Sequence, residues 1–520
     1  MAEAAVTTDA SQKAAVDFDD IQALLRFGHK NLTEACFVLL RVRDRAAAQA
    51  WLAAAPVSAA IAQSPPPRTA LQIALTAEGL RALGVAENVI EGFAPEFVAG
   101  MAADAARSRR LGDVGGSDPG DWAWGGRGSN RVSEPHVLLM LYAAPGGLAA
   151  WQGSIIEGCA AGFEELLRLP ASDLSGTEPF GFVDGVSQPV PDWERRREVR
   201  DTDRLDYGNL ACLGEFVLGY PNEYAGYTER PLLEPQRDAA AATLPRAEDA
   251  PDMADLGRNG SYLVIRQLAQ DVRGFWRFLD AQANGDAARR RRLAELMVGR
   301  TMDGQPLMGE TESQIDGVDR DDMALNGFTY RDDPDGLRCP IGAHVRRSNP
   351  RNADLPPGAA TSLVARGIRM LGFDAEGLQQ DRVASTRFHR LLRRGREYGA
   401  RVSLADVLSN ATSDETPDEE NGIYFICLGA SIARQFEFVQ GAWLAGSRFG
   451  GLVSESDPLL GQRQPGPDGR PTDTFSIPDD TGVCARVSGL PPFVTVRGGG
   501  YFFLPGLRAL RYLATSGAPT

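Results

Sequence analysis

Residues 338–351 read Arg-Cys-Pro-Ile-Gly-Ala-His-Val-Arg-Arg-Ser-Asn-Pro-Arg, and they place His344, one of only four histidines in the chain, beside a cluster of arginines and two prolines. A neutral imidazole next to fixed positive charge suits a haem. The ring nitrogen can bind iron axially while guanidinium groups neutralise propionates. Taken alone the stretch is ambiguous, because a single histidine is more often a hydrogen-bonded structural residue than a ligand.

Two further stretches narrow the reading. Upstream lies Pro179-Phe180-Gly181-Phe182-Val183-Asp184-Gly185-Val186-Ser187-Gln188-Pro189, and downstream Arg387-Phe388-His389-Arg390-Leu391-Leu392-Arg393-Arg394-Gly395. With His344 between them, the set resembles the dye-decolourising haem peroxidases of the longer bacterial branch. Their signature is a Gly-x-x-Asp-Gly turn, a later axial histidine, and then an arginine just before a turn. The segments Gly214 to Pro221, Asn259 to Val264 and Arg434 to Gln440 carry the likeness further, so that it spans about Asp19 to Leu513.

The resemblance implies an α+β fold of two ferredoxin-like sheet-and-helix modules with a barrel-like arrangement. It implies one non-covalent haem b per chain, seated mainly in the second module. His344 takes the position of the proximal iron ligand, Asp184 that of the distal base and Arg393 that of the distal cation, with Arg394 as its alternative. By position, Gly185, Val186 and Ser187 with Asn349, Pro350 and Arg351 should line the haem, Arg351 as a propionate partner. The implied substrates are hydrogen peroxide and small aromatic reductants, phenol- or dye-like, oxidised in one-electron steps.

Three positions depart from the family pattern. Val183 stands where arginine is frequent and Pro179 where histidine is frequent. Ser431 lies where relatives often carry a polar or acidic partner for the proximal histidine, with Glu437 as a second candidate for that role.

Each residue also has a plainer reading. Asp-Gly is a common turn pair, Arg393 sits in a basic stretch that solvent or an ion pair would satisfy, and His389 reads as a packed imidazole. Glycine at 181 and 185 permits close backbone approach to a flat cofactor. An aspartate base has a reference pKa of ~3.9 against ~6.5 for histidine, so activity should survive to about pH 4 to 5.

Composition sets the outer bounds. The chain has 520 residues, 43% hydrophobic and 24% charged, which is ordinary for a globular protein able to enclose a haem-sized cofactor. Its 54 basic and 69 acidic residues give a net charge of -15, against a nucleic-acid or anionic-membrane partner. The one dense basic run, Arg289 to Arg292, falls in a helical pattern from Asp286 to Met297 and reads as a solvated face.

The six cysteines form no Cys-x-x-Cys pair and no covalent haem-attachment motif. Met1 to Asp20 lacks the pattern of a secretory signal, and no apolar stretch reaches the ~18 residues of a membrane helix, so a cytoplasmic location is the default. Monomer and homo-oligomer both stay open.

Strand and helix patterns alternate. Strands are expected at Ala35 to Val42, Thr69 to Leu75, His136 to Tyr142, Ser261 to Leu268 and Ile423 to Leu428. Two more, Phe493 to Val496 and Tyr501 to Leu504, would be joined by Gly498-Gly499-Gly500. Helices are expected at Arg45 to Ala55, Gly147 to Leu167, Asp271 to Ala281 and Ala433 to Leu444. A disordered tail over 1–18, a first domain over 19–228 and a haem-binding second domain over 229–520 complete the expectation, with Pro-rich residues 229–259 as a surface excursion or boundary.

Two rival readings share these residues. One is a haem carrier with little peroxidase turnover, in which Cys339-Pro340 offers a thiolate ligand instead of His344. The other is a metal hydrolase, for which the four histidines lack ligand spacing.

Overall fold

A computed structural model describes residues 15–128, 132, 134–196, 209–309, 325–330, 332–351, 385–409, 420–466, 469–482 and 484–515. Among the described residues, nine strands form one antiparallel sheet: β1 (Glu34–Val42), β2 (Thr69–Leu75), β3 (Val137–Ala143), β4 (Phe163–Pro170), β5 (Ser261–Gln270), β6 (Leu392–Arg393), β7 (Arg396–Tyr398), β8 (Gly422–Gly429) and β9 (Val494–Leu504). Their order is β6-β8-β5-β9-β2-β3-β1-β4, with β7 also paired to β8. Strands from the two halves of the chain therefore form separate groups. They meet where β9 pairs with β2 through Phe503 and Leu75.

Burial on both faces explains why these strands read as nearly unbroken apolar runs. Along β1, Cys36, Val38 and Leu40 enter the core on one side while Ala35, Phe37 and Leu39 enter that on the other. Helices α1 (Arg45–Ala54), α2 (Leu148–Cys159), α3 (Val272–Ala283) and α4 (Ala287–Val298) flank the sheet. Asp44, Asp271 and Asp286 cap three of them by accepting N–H bonds from Ala47, Gly274 and Arg289.

Four expectations are corrected. The helix expected from Gly147 to Leu167 ends at Cys159, and the chain turns at Gly162 into β4. A side chain at 162 would meet the Ala48 backbone nitrogen at 2.3 Å, so only glycine fits there. The two strands expected around Gly498-Gly499-Gly500 are one strand, β9, with a register shift between Val496 and Gly498. There a Cβ on Gly498 would lie 2.4 Å from the Trp124 indole nitrogen, and the bulge keeps pairing continuous past the ring.

The helix expected at Ala433 to Leu444 is π-helical, as Ile432–Glu437 followed by Val439–Ala445. Residues 229–259 are packed rather than an excursion: Leu233, Leu244, Ala254 and Leu256 are buried, and Arg230 pairs with Asp255 at 2.6 Å. The expected tail lies outside the described residues up to residue 14. Residues 15–18 rest against the fold, with Phe18 on Trp193 and Asp17 bonded to Arg508. Among the described residues, no helix is long and apolar enough to cross a membrane.

Candidate functional site

A cavity of about 290 Å³ opens against the face of β5 and β8. Its sheet wall comes from residues of like parity, Arg266, Leu268 and Gln270 on β5 and Ile423 and Phe425 on β8, because alternate residues of a strand share one face. The π-helical segment contributes Phe436, Val439, Trp443 and Leu444. The loop 178–189 and the short helix α5 (His344–Ser348) complete the lining.

His344 begins α5 and lines the cavity. Its Nδ1 lies 3.0 Å from Oδ2 of Asp457, whose side chain is 0% exposed. The other oxygen of Asp457 accepts the backbone N–H groups of Leu459 at 2.9 Å and Leu460 at 2.8 Å. Burial works against charge on both groups. Mutual attraction and the hydrogen bond win, so the imidazole pKa stands above its ordinary value and the Asp457 carboxyl below. With Nδ1 engaged, Nε2 is the ring nitrogen left for a ligand.

Asp184 and Arg393 form the second cluster. Arg393 Nη1 donates to Asp184 Oδ1 at 3.2 Å, and Nη2 donates to the Ser187 carbonyl at 3.2 Å. The Arg393 backbone N–H donates to Gln188 Oε1 at 2.9 Å, which seats β6 on the loop. Side-chain exposure of Asp184 and Arg393 is 37% and 33%, the surface that faces the cavity. Burial pushes the Asp184 carboxyl up, but the guanidinium and the Gly185 N–H outweigh it, and the pKa falls below the usual value.

Arg394 is excluded as the cavity cation. Its guanidinium points away, donating to the carbonyls of Leu24 at 2.8 Å and Leu25 at 3.2 Å.

The loop carrying Asp184 turns on Gly181 (φ 98°) and Gly185 (φ 73°), both in the left-handed region. Glu178 holds it from within: its carboxylate accepts the N–H groups of Phe180 at 3.0 Å and Phe182 at 2.9 Å and the Gln270 amide at 2.8 Å. Burial raises the Glu178 pKa to about 7 against those donors, with the Asp184 charge adding to the rise. The sequence reading missed Glu178. Its only signal is a carboxylate two and four residues before amides in a Gly-containing turn.

Of the remaining expected site residues, Val186, Ser187 and Asn349 line the cavity, and Gly185 supplies its turn. Pro350 and Arg351 are not among the lining residues. Arg351 is fully buried, with its guanidinium bonded to the Asn326 and Phe328 carbonyls and to Ser187 Oγ, so it cannot serve as a propionate partner. Among the described residues, the arginines that reach the lining are Arg266, Arg300, Arg390 and Arg393. Arg266 is already paired with buried Asp113.

The partner of His344 also differs from expectation. Ser431 caps the π-helical segment by accepting from Arg434 N–H, and Glu437 is bonded to Arg107 and Tyr501. Asp457 was legible only as an aspartate opening an Asp-Pro turn. His389 lines the cavity as a packed imidazole, stacked on Phe438 at 3.8 Å with Nδ1 at the Arg434 carbonyl.

Cys339 is fully buried and lies outside the cavity lining, so it offers no ligand there, and burial pushes its thiol up to about 12. Among the described residues, no group of His, Cys, Asp or Glu side chains is arranged to hold a metal ion unaided.

This donor set fits a porphyrin. An imidazole anchored by a buried carboxylate lines an apolar-walled cavity, with a carboxylate–guanidinium pair and further cations in the same lining.

No protein-family profile matches the chain. Among curated proteins, the dye-decolorizing peroxidase msp1 of Mycetinis scorodonius is 27% identical over 523 residues, spanning 96% of this chain and 88% of that protein. The multifunctional dye peroxidase DyP2 of Amycolatopsis is 27% identical over 463 residues, spanning 85% and 82%. Among solved structures, a dye-decolorizing peroxidase in complex with 2,6-dimethoxyphenol superposes with a TM-score of 0.69 at 21% identity, covering 96% of this chain and all of that one. A triple mutant of the decolorizing peroxidase from Auricularia auricula-judae gives 0.68 at 24% identity with the same coverage. At these identities the structures speak for the fold, two ferredoxin-like α+β halves.

Proposed function

We propose that the chain, which resembles dye-decolourising peroxidases over most of its length, reduces hydrogen peroxide with a non-covalent haem b and oxidises small aromatic donors in one-electron steps. The observation that carries the reading is the convergence, in one cavity, of His344 anchored by Asp457 and the pair Asp184–Arg393. Bound there, an iron porphyrin would supply the redox-active metal at which the O–O bond of a peroxide is cleaved.

The chain's own residues do the rest. His344 would hold the iron through Nε2, and the Asp457 carboxylate would fix the tautomer and strengthen the imidazole as a donor. Apolar walls such as Phe425, Val439 and Leu459 would pack against the porphyrin, and Arg300 and Arg390, bonded to the carbonyls of Gly304, Leu325 and Asn209, would add positive charge near its carboxylates.

The Asp184 carboxylate would take the proton from one peroxide oxygen and return it to the other, which leaves as water. Arg393 stabilises the charge that develops as the bond breaks. Its contact with Asp184 keeps that carboxylate ionised and therefore ready as a base.

The test is haemin addition to the apoprotein, followed optically, and then peroxide with a phenolic donor. One equivalent of haemin taken up with an imidazole-type spectrum, and peroxide-dependent donor oxidation well above that of free haemin, is the expected result. Failure to take up haemin overturns the reading. Uptake with turnover no faster than free haemin would assign the chain to haem carriage instead.

A further inference from the structure

We infer that Arg351 is a positioning residue, a strut that sets the gap between the two sides of the cavity. It lies three residues beyond α5, the helix that begins with His344, and its side chain is fully buried. Its backbone sits at φ 47°, in the left-handed region that a non-glycine residue enters only when its surroundings hold it there. What holds it is also what it joins.

Nη1 donates to the carbonyls of Asn326 at 2.6 Å and Phe328 at 3.1 Å, and the guanidinium lies 3.9 Å over the Phe328 ring. Nη2 donates to Ser187 Oγ at 2.9 Å. Asn326, gripped by the arginine through its carbonyl, donates its own amide to the Val186 carbonyl at 2.5 Å. One guanidinium thus secures two successive residues of the loop that carries Asp184, directly at Ser187 and through Asn326 at Val186.

The chain of contacts continues to the reacting groups. The Ser187 carbonyl accepts Arg393 Nη2 at 3.2 Å, and the Arg393 guanidinium reaches Asp184 at the same distance. From the His344 helix to the carboxylate, every link is a residue held by directional bonds. A planar five-donor guanidinium suits such a junction, where lysine would supply a single point of attachment.

Misplacing a reacting group by a fraction of an ångström is costly to rate while leaving cofactor binding alone. That catalytic consequence rests on the haem peroxidase reading. The mechanical role does not, and the two can fail separately.

The experiment is peptide-level hydrogen exchange on the apoprotein for wild type, Arg351→Lys, Ser187→Ala and, as control, Arg346→Lys. Arg346 is an equally buried arginine of α5, but its bonds go to Asp333 and the Cys339 carbonyl and not to the loop. Arg351→Lys and Ser187→Ala should speed exchange over 184–188 by about tenfold, as loss of one buried hydrogen bond allows, and Arg346→Lys should leave those residues at the wild-type rate.

In the haem-loaded protein Arg351→Lys should keep haem affinity within about twofold and slow the peroxide reaction by about tenfold or more. Unchanged exchange over 184–188 in both variants overturns the strut. So does a loss of haem affinity with unchanged exchange, which would make Arg351 a cofactor contact. If Arg351→Lys does not fold, Ser187→Ala, which removes only the far end of the contact, decides. If the wild type takes up no haem, the exchange measurement still decides.

Discussion

The two sides of the cavity are built on different principles. On the His344 side the functional group is anchored by charge in a dry place: Asp457 is 0% exposed, one of its oxygens faces the imidazole and the other is tied to two backbone amides. On the Asp184 side the carboxylate and guanidinium are each about one-third exposed to the cavity and ride on a glycine-hinged loop and a two-residue strand. Electrostatic attraction is strong where water is excluded and weak where it is admitted. The first side is therefore suited to holding something permanently, and the second to meeting small molecules that come and go.

The comparison breaks most completely at His344. Replacing it with alanine removes the only imidazole nitrogen backed by Asp457, and the loss of haem retention should exceed the roughly 100-fold that a lost outer partner costs. Free imidazole should restore part of the binding, since Asp457 and the cavity walls remain. Optical titration with haemin, with and without imidazole, measures both effects. Wild-type haem affinity in His344→Ala would mean that the anchored side is not the ligand side.

The Asp184 side should behave in the opposite way. Asp184→Asn removes the base while leaving the cavity walls intact, so haem should bind as in wild type while the peroxide reaction slows by about 10²- to 10⁴-fold. The pH dependence has a definite sign. Because Arg393 and the Gly185 amide hold the Asp184 pKa below its usual value despite burial, the carboxylate is a base at neutral pH and is lost only as pH falls through that depressed value. The acid limb of the peroxide reaction should therefore lie below the ordinary aspartate range, and Arg393→Ala should move it upward. A limb near pH 6.5 would point to an imidazole base and rule out Asp184.

Where the sequence was legible and where it was not follows the same division. Strands such as Glu34–Val42 and Ser261–Gln270 announce themselves as apolar runs because both of their faces are buried. Asp184, His344 and Arg393 stand out in the sequence because each belongs to a local motif, and the structure brings all three to one cavity.

The residues that support them were not readable, since support comes across long chain separations. Asp457 lies 113 positions from His344, and the Arg351 contact with Ser187 spans 164. Arg351 was assigned to the cofactor because it follows His344 closely and carries the right charge. Its left-handed backbone and its partners at 326 and 328, invisible in the sequence, turn it inward instead. Helix limits failed for a related reason, because the break at Gly162 answers to a close approach by Ala48 rather than to any local preference.

A subtler change tests whether the anchored side depends on charge or only on shape. Asp457→Asn preserves volume, yet an amide cannot reproduce the present bonding. If its oxygen keeps the Leu459 and Leu460 N–H groups, its NH2 faces His344 Nδ1 and favours the tautomer whose proton sits on Nε2, the ligand nitrogen. If the oxygen turns to His344 instead, the NH2 opposes two N–H donors. Either arrangement weakens the imidazole as a ligand, and a 10- to 100-fold loss in haem affinity or turnover is expected, about the cost of losing an outer partner of a metal ligand. The rate of haem transfer to an excess of an apo-haem acceptor protein measures it directly. An Asp457→Asn protein that releases haem at the wild-type rate and turns over normally would show that the buried carboxylate serves the fold alone, and the contrast between the two sides would reduce to one of exposure.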